Sequence, residues 1–362
     1  MTLGANAPGP LVWPPALLRP SPPPELVYLD MNHWINLAQA ATGHPNGVAH
    51  LEALEICKAA RASNTALFPL AAAHYFEMAK IKDPRQRRDV AAVMEELSSF
   101  ATLLDRTTVM GVELRAALDA VTGGPGPTIT VALLGRGIGP AFGVRGGLRV
   151  RDANGEDVTD EFVAVGDNAS ALASANLSLE RAMLAGPEDK DLAALAERGY
   201  DPLAAFKVAQ RRADQEEGMR ARLDEDPRWR RGRIYDVVAA YEMSNELLDP
   251  LEKACAERGY LWQDVLSERE TLRRFTRSMP STEVAIVLKA TRHRDGTLRW
   301  TPNDITDVDA LSLAVPYCDV VVTEKYAHHV LVASGVAKRM STVVLPSTSQ
   351  LADHFAGVRG AL

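Results

Sequence analysis

Short apolar runs, each followed by a helix-type segment, occur towards both ends of this 362-residue chain. Near the start they are residues 26–29 and 65–70, and near the end they are residues 320–323 and 343–345. Strands that alternate with helices need crossover connections, which favour parallel pairing and helices on both faces of the sheet. The pattern therefore predicts an α/β fold, with three α/β/α layers and a mostly parallel central sheet.

The middle of the chain breaks this alternation, first with a glycine-rich stretch of short β-type segments and then with charged helical sequence. We therefore predict that residues 25–112 and 234–362 are the two parts of one α/β domain. Residues 113–233 are predicted to be an insertion of mixed, largely helical structure. Residues 107–110 read as a third strand of the first part, and the Pro-rich residues 1–24 read as a flexible extended tail.

Composition restricts the class of protein. The formal net charge of −7 repels phosphate on average, so a nucleic-acid partner would have to meet a local basic patch. The three cysteines, Cys57, Cys255 and Cys318, lie far apart and indicate neither a disulfide framework nor a structural zinc site. Residues 1–24 resemble neither a signal peptide nor a membrane-spanning helix. We therefore expect a cytoplasmic protein without a membrane partner.

Several acidic residues lie at or near the carboxyl ends of predicted strands. In an open parallel sheet, ligands bind at these ends. Asp30 closes the first predicted strand and Glu324 closes the strand at residues 320–323. Glu77 lies in the helix after the second strand. Three further acidic residues begin a helix that leads into the 320–323 strand, and they are Asp304, Asp307 and Asp309.

Carboxylates brought together in this way raise each other's pKa unless a cation neutralises them. Mg²⁺ and Mn²⁺ accept oxygen ligands, and Mg²⁺ commonly leaves positions for water and substrate phosphate. Such a site can polarise a phosphodiester and lower the pKa of a bound water. The acidic set therefore predicts a Mg²⁺ or Mn²⁺ centre, ligated by Asp30, Glu77, Asp304, Asp307, Asp309 and Glu324 or by a subset of them.

The same residues resemble the PIN domain family of metal-dependent ribonucleases. Residues 28–35 are similar to the family's opening strand, which ends in an aspartate and leads into an apolar helix. Glu77 resembles the family's helical glutamate. Residues 307–314 and 320–323 resemble its acidic helix start, alanine-rich helix and final valine-rich strand ending in threonine.

The resemblance implies a metal-dependent endoribonuclease with a PIN-like fold and a large insertion. It implies metal ligation by Asp30, Glu77, Asp307 and Glu324, with Asn32 and Thr323 orienting them. The number of residues back from Thr323 favours Asp307 as the equivalent of the family's aspartate. The sequence directly around Asp309 resembles the family's motif more closely. An aspartate is common in the family two residues after the threonine, where this chain has Lys325, so Glu324 would substitute one residue early.

Structural explanations compete with these roles. Asp304 fits a helix N-cap, and Asp307 and Asp309 would stabilise a helix dipole without any catalysis. His33 and His74 fit packing positions better than a proton shuttle. Residues 228–233 combine arginines with a tryptophan, as a contact to single-stranded nucleic acid does, but a solvated helix end is the simpler interpretation.

Other functions also fit the acidic set. The chain would be a catalytically degenerate PIN-like module that binds RNA or a protein, or a metal-dependent phosphatase acting on a small molecule. Under the leading hypothesis RNA is favoured over DNA as the partner. A protein regulator and a homo-oligomer stay open.

Overall fold

The computed structural model describes residues 11, 13–21, 24–124, 126–201 and 203–359. Within them lie eight strands, which are β1 (Leu17–Leu18), β2 (Glu25–Leu29), β3 (Ala66–Leu67), β4 (Ala101–Leu103), β5 (Val131–Ala132), β6 (Leu134–Arg136), β7 (Val320–Val322) and β8 (Val343–Leu345).

The central sheet has four parallel strands in the order β3-β2-β7-β8. Val27 pairs with Val320, and Val320 pairs in turn with Val343. A parallel bridge between Leu70 and Thr102 continues the β3 side of the sheet towards β4, which is antiparallel to β6. The protein therefore has an α/β fold with a small, mostly parallel sheet, as the alternating sequence pattern predicts.

Helices account for most of the remaining structure. Those of the first part and the glycine-rich stretch are α1 (Met31–Ala41), α2 (Leu51–Ala62), α3 (Ala72–Met78), α4 (Pro84–Ser98), α5 (Arg106–Thr122) and α6 (Ile138–Ala141), with a 3₁₀ segment at Pro45–His50. The middle helices are α7 (Thr159–Val163), α8 (Asn168–Ala185), α9 (Leu192–Glu197), α10 (Ala204–Glu225), α11 (Arg228–Gly232), α12 (Ile234–Glu242), α13 (Leu248–Ala256), α14 (Trp262–Val265) and α15 (Arg269–Arg277), with a 3₁₀ segment at Asp189–Asp191 and a π-helical segment at Met243–Leu247. The last helices are α16 (Pro280–Arg294), α17 (Pro302–Tyr317), α18 (Lys325–Ala333), α19 (Val336–Arg339) and α20 (Thr348–Arg359).

Alternate side chains of the sheet enter two different apolar clusters, because successive residues of a strand point to opposite faces. Val27 and Leu29 join one cluster with Trp34 of α1, and helices α2, α4 and α20 also contribute to it. Leu26 and Tyr28 join the other, which contains residues of α16, α17 and α18. Each fully buried aliphatic or aromatic side chain of this kind contributes roughly 1.5–3 kcal/mol.

The segment at residues 107–110 is helical, so the prediction of a strand there is wrong. Asp105 caps α5, and its carboxylate accepts a hydrogen bond from Thr108 N at 2.9 Å. The third strand lies earlier, at β4. The predicted insertion boundary at residue 113 falls inside α5, and helices continue without a central strand from α7 to α17.

The proline-rich start is partly docked on the domain. Residues 1–10 lie outside the described residues. Leu17 is 2% exposed, and β1 pairs in parallel with β5. The Trp13 ring packs edge-on against Tyr317 with centroids 5.0 Å apart, and Arg19 forms an ion pair with Asp319. Residues 13–19 are therefore not part of a flexible tail, because their apolar side chains and backbone groups have partners in the domain.

No helix among the described residues is both long enough and apolar enough to cross a membrane.

Candidate metal centre

Asp30 lies at the point where the order of the strands reverses. From β2 the chain adds β3 and then β4 on one side of the sheet, and later adds β7 and β8 on the other. The crevice between the carboxyl ends of β2 and β7 is therefore a topological switch point, which is where open α/β sheets bind ligands. Asp30 directly follows β2, and Thr323 and Glu324 directly follow β7.

The two strand ends are joined through Asp30. Its backbone N–H donates to Val322 O at 2.9 Å, which extends the parallel ladder by one residue. One carboxylate oxygen caps α1 by accepting from Met31 N at 2.9 Å, and the other accepts from Thr323 Oγ1 at 3.1 Å. Burial raises the pKa of Asp30, and the hydrogen bonds from Met31 and Thr323 partly offset this rise. Thr323 is thus a hydrogen-bond partner of Asp30, and its role in orienting a metal ligand stays a prediction.

Glu77 and Asp307 bring two more carboxyls to this crevice. Glu77 lies in the last turn of α3, the helix that follows β3, and Asp307 lies in the second turn of α17. Burial and repulsion from Asp30, Glu77 and Glu324 raise the pKa of Asp307 from 3.8 to about 8. Burial, together with the charge of Asp30, raises the pKa of Glu77 to about 7. The charge of Asp30 thus contributes to the raised pKa of both carboxyls.

Glu324 completes the group from the rim. It is exposed at the N-cap position of α18, and burial together with the charge of Asp30 raises its pKa. Asn32 is exposed in the first turn of α1, beside Asp30 in sequence, and no side-chain hydrogen bond within the described ranges fixes it. We call Asp30, Glu77, Asp307 and Glu324 the acidic group.

The acidic group has little neutralising charge. In the part of the chain that the structure describes, no hydrogen bond or ion pair holds the carboxyls of Asp307 and Glu324. Lys80 is the cation that lowers the pKa of Glu77, and its ammonium donates to Asn303 Oδ1 at 2.8 Å. Sequence analysis missed Lys80, although its position one helical turn after Glu77 is a usable signal.

Carboxylate oxygens are the ligands that hard divalent cations prefer, so the donor chemistry suits Mg²⁺ or Mn²⁺. Among the described residues, no three Asp, Glu, His or Cys side chains already converge on a common point that could hold a metal. A metal would therefore need side-chain rotation or bridging waters to complete its shell.

Asp304 and Asp309 have other partners. Asp304 closes a capping box, accepting from Thr301 N at 2.8 Å, and it pairs with Arg292 at 2.9 Å. Asp304 therefore takes part in capping as the third helical residue, whereas the N-cap position predicted for it is occupied by Thr301. Asp309 is held by Arg212 and by Arg106, and although its burial opposes the effect, these cations lower its pKa. Both were predicted as possible metal ligands, and Asp309 is corrected to a partner in a buried ion pair because it faces the arginines.

The two histidines near the crevice differ in their contacts. His74 is buried, with Nε2 2.8 Å from Leu29 O and Nδ1 accepting from Ala71 N at 2.9 Å. Burial lowers its pKa to about 4, so at neutral pH it is an uncharged residue that joins α3 to β2. His33 is 8% exposed, and neither ring nitrogen has a hydrogen-bond partner among the described residues. Burial lowers the pKa of His33 as well.

No family model, no curated protein and no solved structure matches this chain.

Proposed function

We propose that this protein is a metal-dependent endoribonuclease with a PIN-like fold, in which the acidic group holds Mg²⁺ or Mn²⁺. The observation that carries the proposal is the acidic group itself. Four carboxyls from α3, α17 and the ends of β2 and β7 lie around a topological switch point, and the charges of Asp30, Glu77 and Glu324 contribute to the raised pKa of Asp307. Strong mutual perturbation of titratable groups in a crevice is typical of functional sites.

The topology supports the PIN-like, three-layer part of the proposal. The parallel strands follow the order β3-β2-β7-β8, a single bridge at Leu70 links the β3 side to β4, and helices contribute to an apolar cluster on each face. The large middle segment enters between β4 and β7, so the two sequence regions that resemble the family supply the parallel strands. A PIN-like domain with an insertion has this organisation.

The repulsion within the acidic group supports a metal. Placing several carboxyls together without a cation costs free energy, because at neutral pH Asp307 and Glu77 must keep their protons or repel each other. A divalent cation would remove that cost. When bound, it would polarise a phosphodiester and supply a water of lowered pKa.

The chain's own residues would do the positioning. Thr323 holds Asp30 through its hydroxyl, and the N-terminus of α1 fixes the other oxygen of the same carboxylate. Asp307 and Glu77 would contribute ligands from two helices, and Glu324 would do so from the rim. Lys80, beside Glu77, would favour a negatively charged substrate at the edge of the crevice.

The test is cleavage of labelled single-stranded RNA by the full chain in Mn²⁺, with chelator as one control. Asp30→Ala and Asp307→Asn should abolish cleavage while thermal unfolding stays cooperative. Asp309→Asn is a poor control because it breaks an ion pair, whereas Asp353→Asn changes an exposed helical aspartate in α20 and should cleave normally. Full activity in Asp30→Ala would exclude the assignment.

One observation favours a second candidate, a PIN-like module that binds RNA or a protein without cleaving it. Within the described ranges the acidic side chains do not yet converge on one point, and Lys325 stands where the family often has an aspartate. Metal-independent RNA binding without cleavage, unaffected by Asp30→Ala, would support this candidate.

A further inference from the structure

A cleft lined by arginines lies outside the acidic group, at the junction of α11, α12 and the end of α16. Its volume is about 510 Å³, and it is lined by Pro227, Arg230, Arg231, Gly232, Ile234, Tyr235 and Arg294. Three of these residues are cations and none is acidic. Like charges facing one cavity repel each other, so an anion is the ligand that such a cavity favours.

The three arginines are not equivalent. Arg230 is fixed, since its guanidinium donates to three backbone carbonyls, including His293 O at 2.9 Å, and to Asp224 at 2.5 Å. Arg231 and Arg294 are exposed, and neither has an ion-pair or hydrogen-bond partner in the described part of the chain. The cleft therefore has one rigid cationic wall and two guanidiniums whose donors face solvent.

Two neighbouring acidic residues, Asp224 and Asp226, do not neutralise these two guanidiniums, because they are paired elsewhere. Asp224 is engaged by Arg220 and Arg230, and Asp226 is engaged by Arg228. These pairs explain why a run of sequence that looks balanced in charge leaves a basic cavity in the fold.

Aromatic surface stands beside the cations. The Trp229 side chain is 41% exposed, and the Arg233 guanidinium lies over its ring at 5.5 Å. Tyr235 lines the cleft and donates its hydroxyl hydrogen to Glu283. Guanidiniums for phosphates and an exposed aromatic ring for a base are the combination that binds single-stranded nucleic acid.

One helix at the cleft, α16, also packs against α17, which carries Asp307. Arg294 ends α16, and Arg292 on the same turn pairs with Asp304, which begins the helix that carries Asp307.

We infer that this arginine cleft is a binding site for the sugar-phosphate backbone of single-stranded RNA, separate from the cleavage centre. The inference rests on the proposed nuclease function for the choice of RNA, but not for the existence of an anion site. It also supplies the local basic patch that a chain of net charge −7 needs. Arg231 and Arg294 bind phosphates in this site, and Trp229 stacks against a base.

The experiment is equilibrium binding of a labelled single-stranded RNA in excess chelator, which keeps cleavage out of the measurement. Arg231→Ala combined with Arg294→Ala should weaken binding by about tenfold or more at 0.1 M salt. The dependence of log K on log salt should become less steep by about 1.4, since each phosphate contact on a single strand contributes about 0.7.

The matched control is Arg145→Ala combined with Arg198→Ala, which removes two exposed cations that do not line the cleft. It should change binding less than twofold. Equal weakening by both pairs, or no weakening by the cleft pair, would overturn the inference. So would a cleft pair that loses binding to anionic lipid vesicles while RNA binding stays intact.

The two proposals fail separately. Asp307→Asn should bind RNA normally in chelator while losing cleavage. If Asp307→Asn still cleaves, the nuclease centre is wrongly placed and the cleft stands. If the cleft pair binds RNA as the unaltered protein does, the cleft is wrong and the nuclease centre stands.

Discussion

Removing the charge of Asp307 should make the metal-free protein more stable at high pH. The carboxyl is half-buried among Asp30, Glu77 and Glu324, and its ionisation is opposed by burial and by their charges. Asparagine has nearly the same shape as the protonated acid and cannot ionise. Asp307→Asn therefore keeps the low-pH packing and removes the repulsion that develops as the pH rises.

The magnitude follows from the pKa. In the folded protein the pKa of Asp307 rises from 3.8 to about 8, so the folded state keeps a proton over an interval in which the unfolded chain has lost it. A carboxyl whose pKa is raised on folding contributes stability that is greatest below pH 4 and is lost as pH rises towards 8. At 1.36 kcal/mol per pH unit the whole interval is worth on the order of 5 kcal/mol. Because the repulsion is shared with Asp30 and Glu77, we expect asparagine to recover roughly 2–4 kcal/mol at pH 9.

The assay is urea unfolding in excess chelator at pH 5 and pH 9, followed by circular dichroism. The gain from Asp307→Asn should be larger at pH 9 than at pH 5, by about 2 kcal/mol. Asp353→Asn, at an exposed position of α20, should show little change at either pH. A loss of stability in Asp307→Asn that is the same at both pH values would refute the reasoning, because the carboxyl would then be held by attractive contacts.

Mn²⁺ should reverse the ranking of the two proteins. A ligand that binds only the folded state at a hundred times its Kd stabilises it by about 2.7 kcal/mol. The unaltered protein should gain stability of this order at pH 7, whereas Asp307→Asn should gain much less. If Mn²⁺ stabilised both proteins equally, Asp307 would not be a ligand.

Two further substitutions test the groups that support the site and the core. Thr323→Val should cost about 1 kcal/mol at neutral pH and raise the pKa of Asp30 further, since it removes the hydroxyl donor, while Thr323→Ser should restore both in urea titrations; equal behaviour of the two variants would contradict the hydrogen bond. Lys289→Met should cost about 3–5 kcal/mol at pH 7 in urea unfolding, because Glu216 and Glu242 are buried and pair with its ammonium. A cost below about 1 kcal/mol would contradict a stabilising role for these two ion pairs.

The central strands could be predicted because they leave the strongest local signal. Val320–Val322 is fully buried on both faces, so an unbroken apolar run marks it. Residues 107–110 gave the same kind of signal through β-branched residues, but Asp105 caps a helix there and its hydrogen bond outweighs a weak strand preference. The pairing of β1 with β5 joins segments more than a hundred residues apart. Neither segment contains a sequence pattern that predicts this pairing.

Part of the acidic group was predictable because its residues directly follow strands that the sequence predicts. Asp30 and Thr323 follow neighbouring strands, and parallel strand ends meet at one edge of a sheet. The choice among the acids of α17 was not decided by sequence, because Asp307 and Asp309 lie two residues apart and so point to different sides of the helix. Arg212, which takes Asp309 out of the set, comes from the middle segment, whose position on the fold had no sequence signal.

The pairing of β2 with β7 has a consequence for how the chain is made. Asp30 and Thr323, which are hydrogen-bonded at the ends of these strands, are 293 residues apart. During synthesis β2 is therefore made long before β7, the strand with which it pairs. At typical rates of translation this delay is on the order of 15 to 60 seconds. During it, one edge of β2 and the apolar side chains Val27 and Leu29 lack the partners they have in the finished sheet. A ribosome-bound segment that ends before β7 should therefore be a good substrate for chaperones.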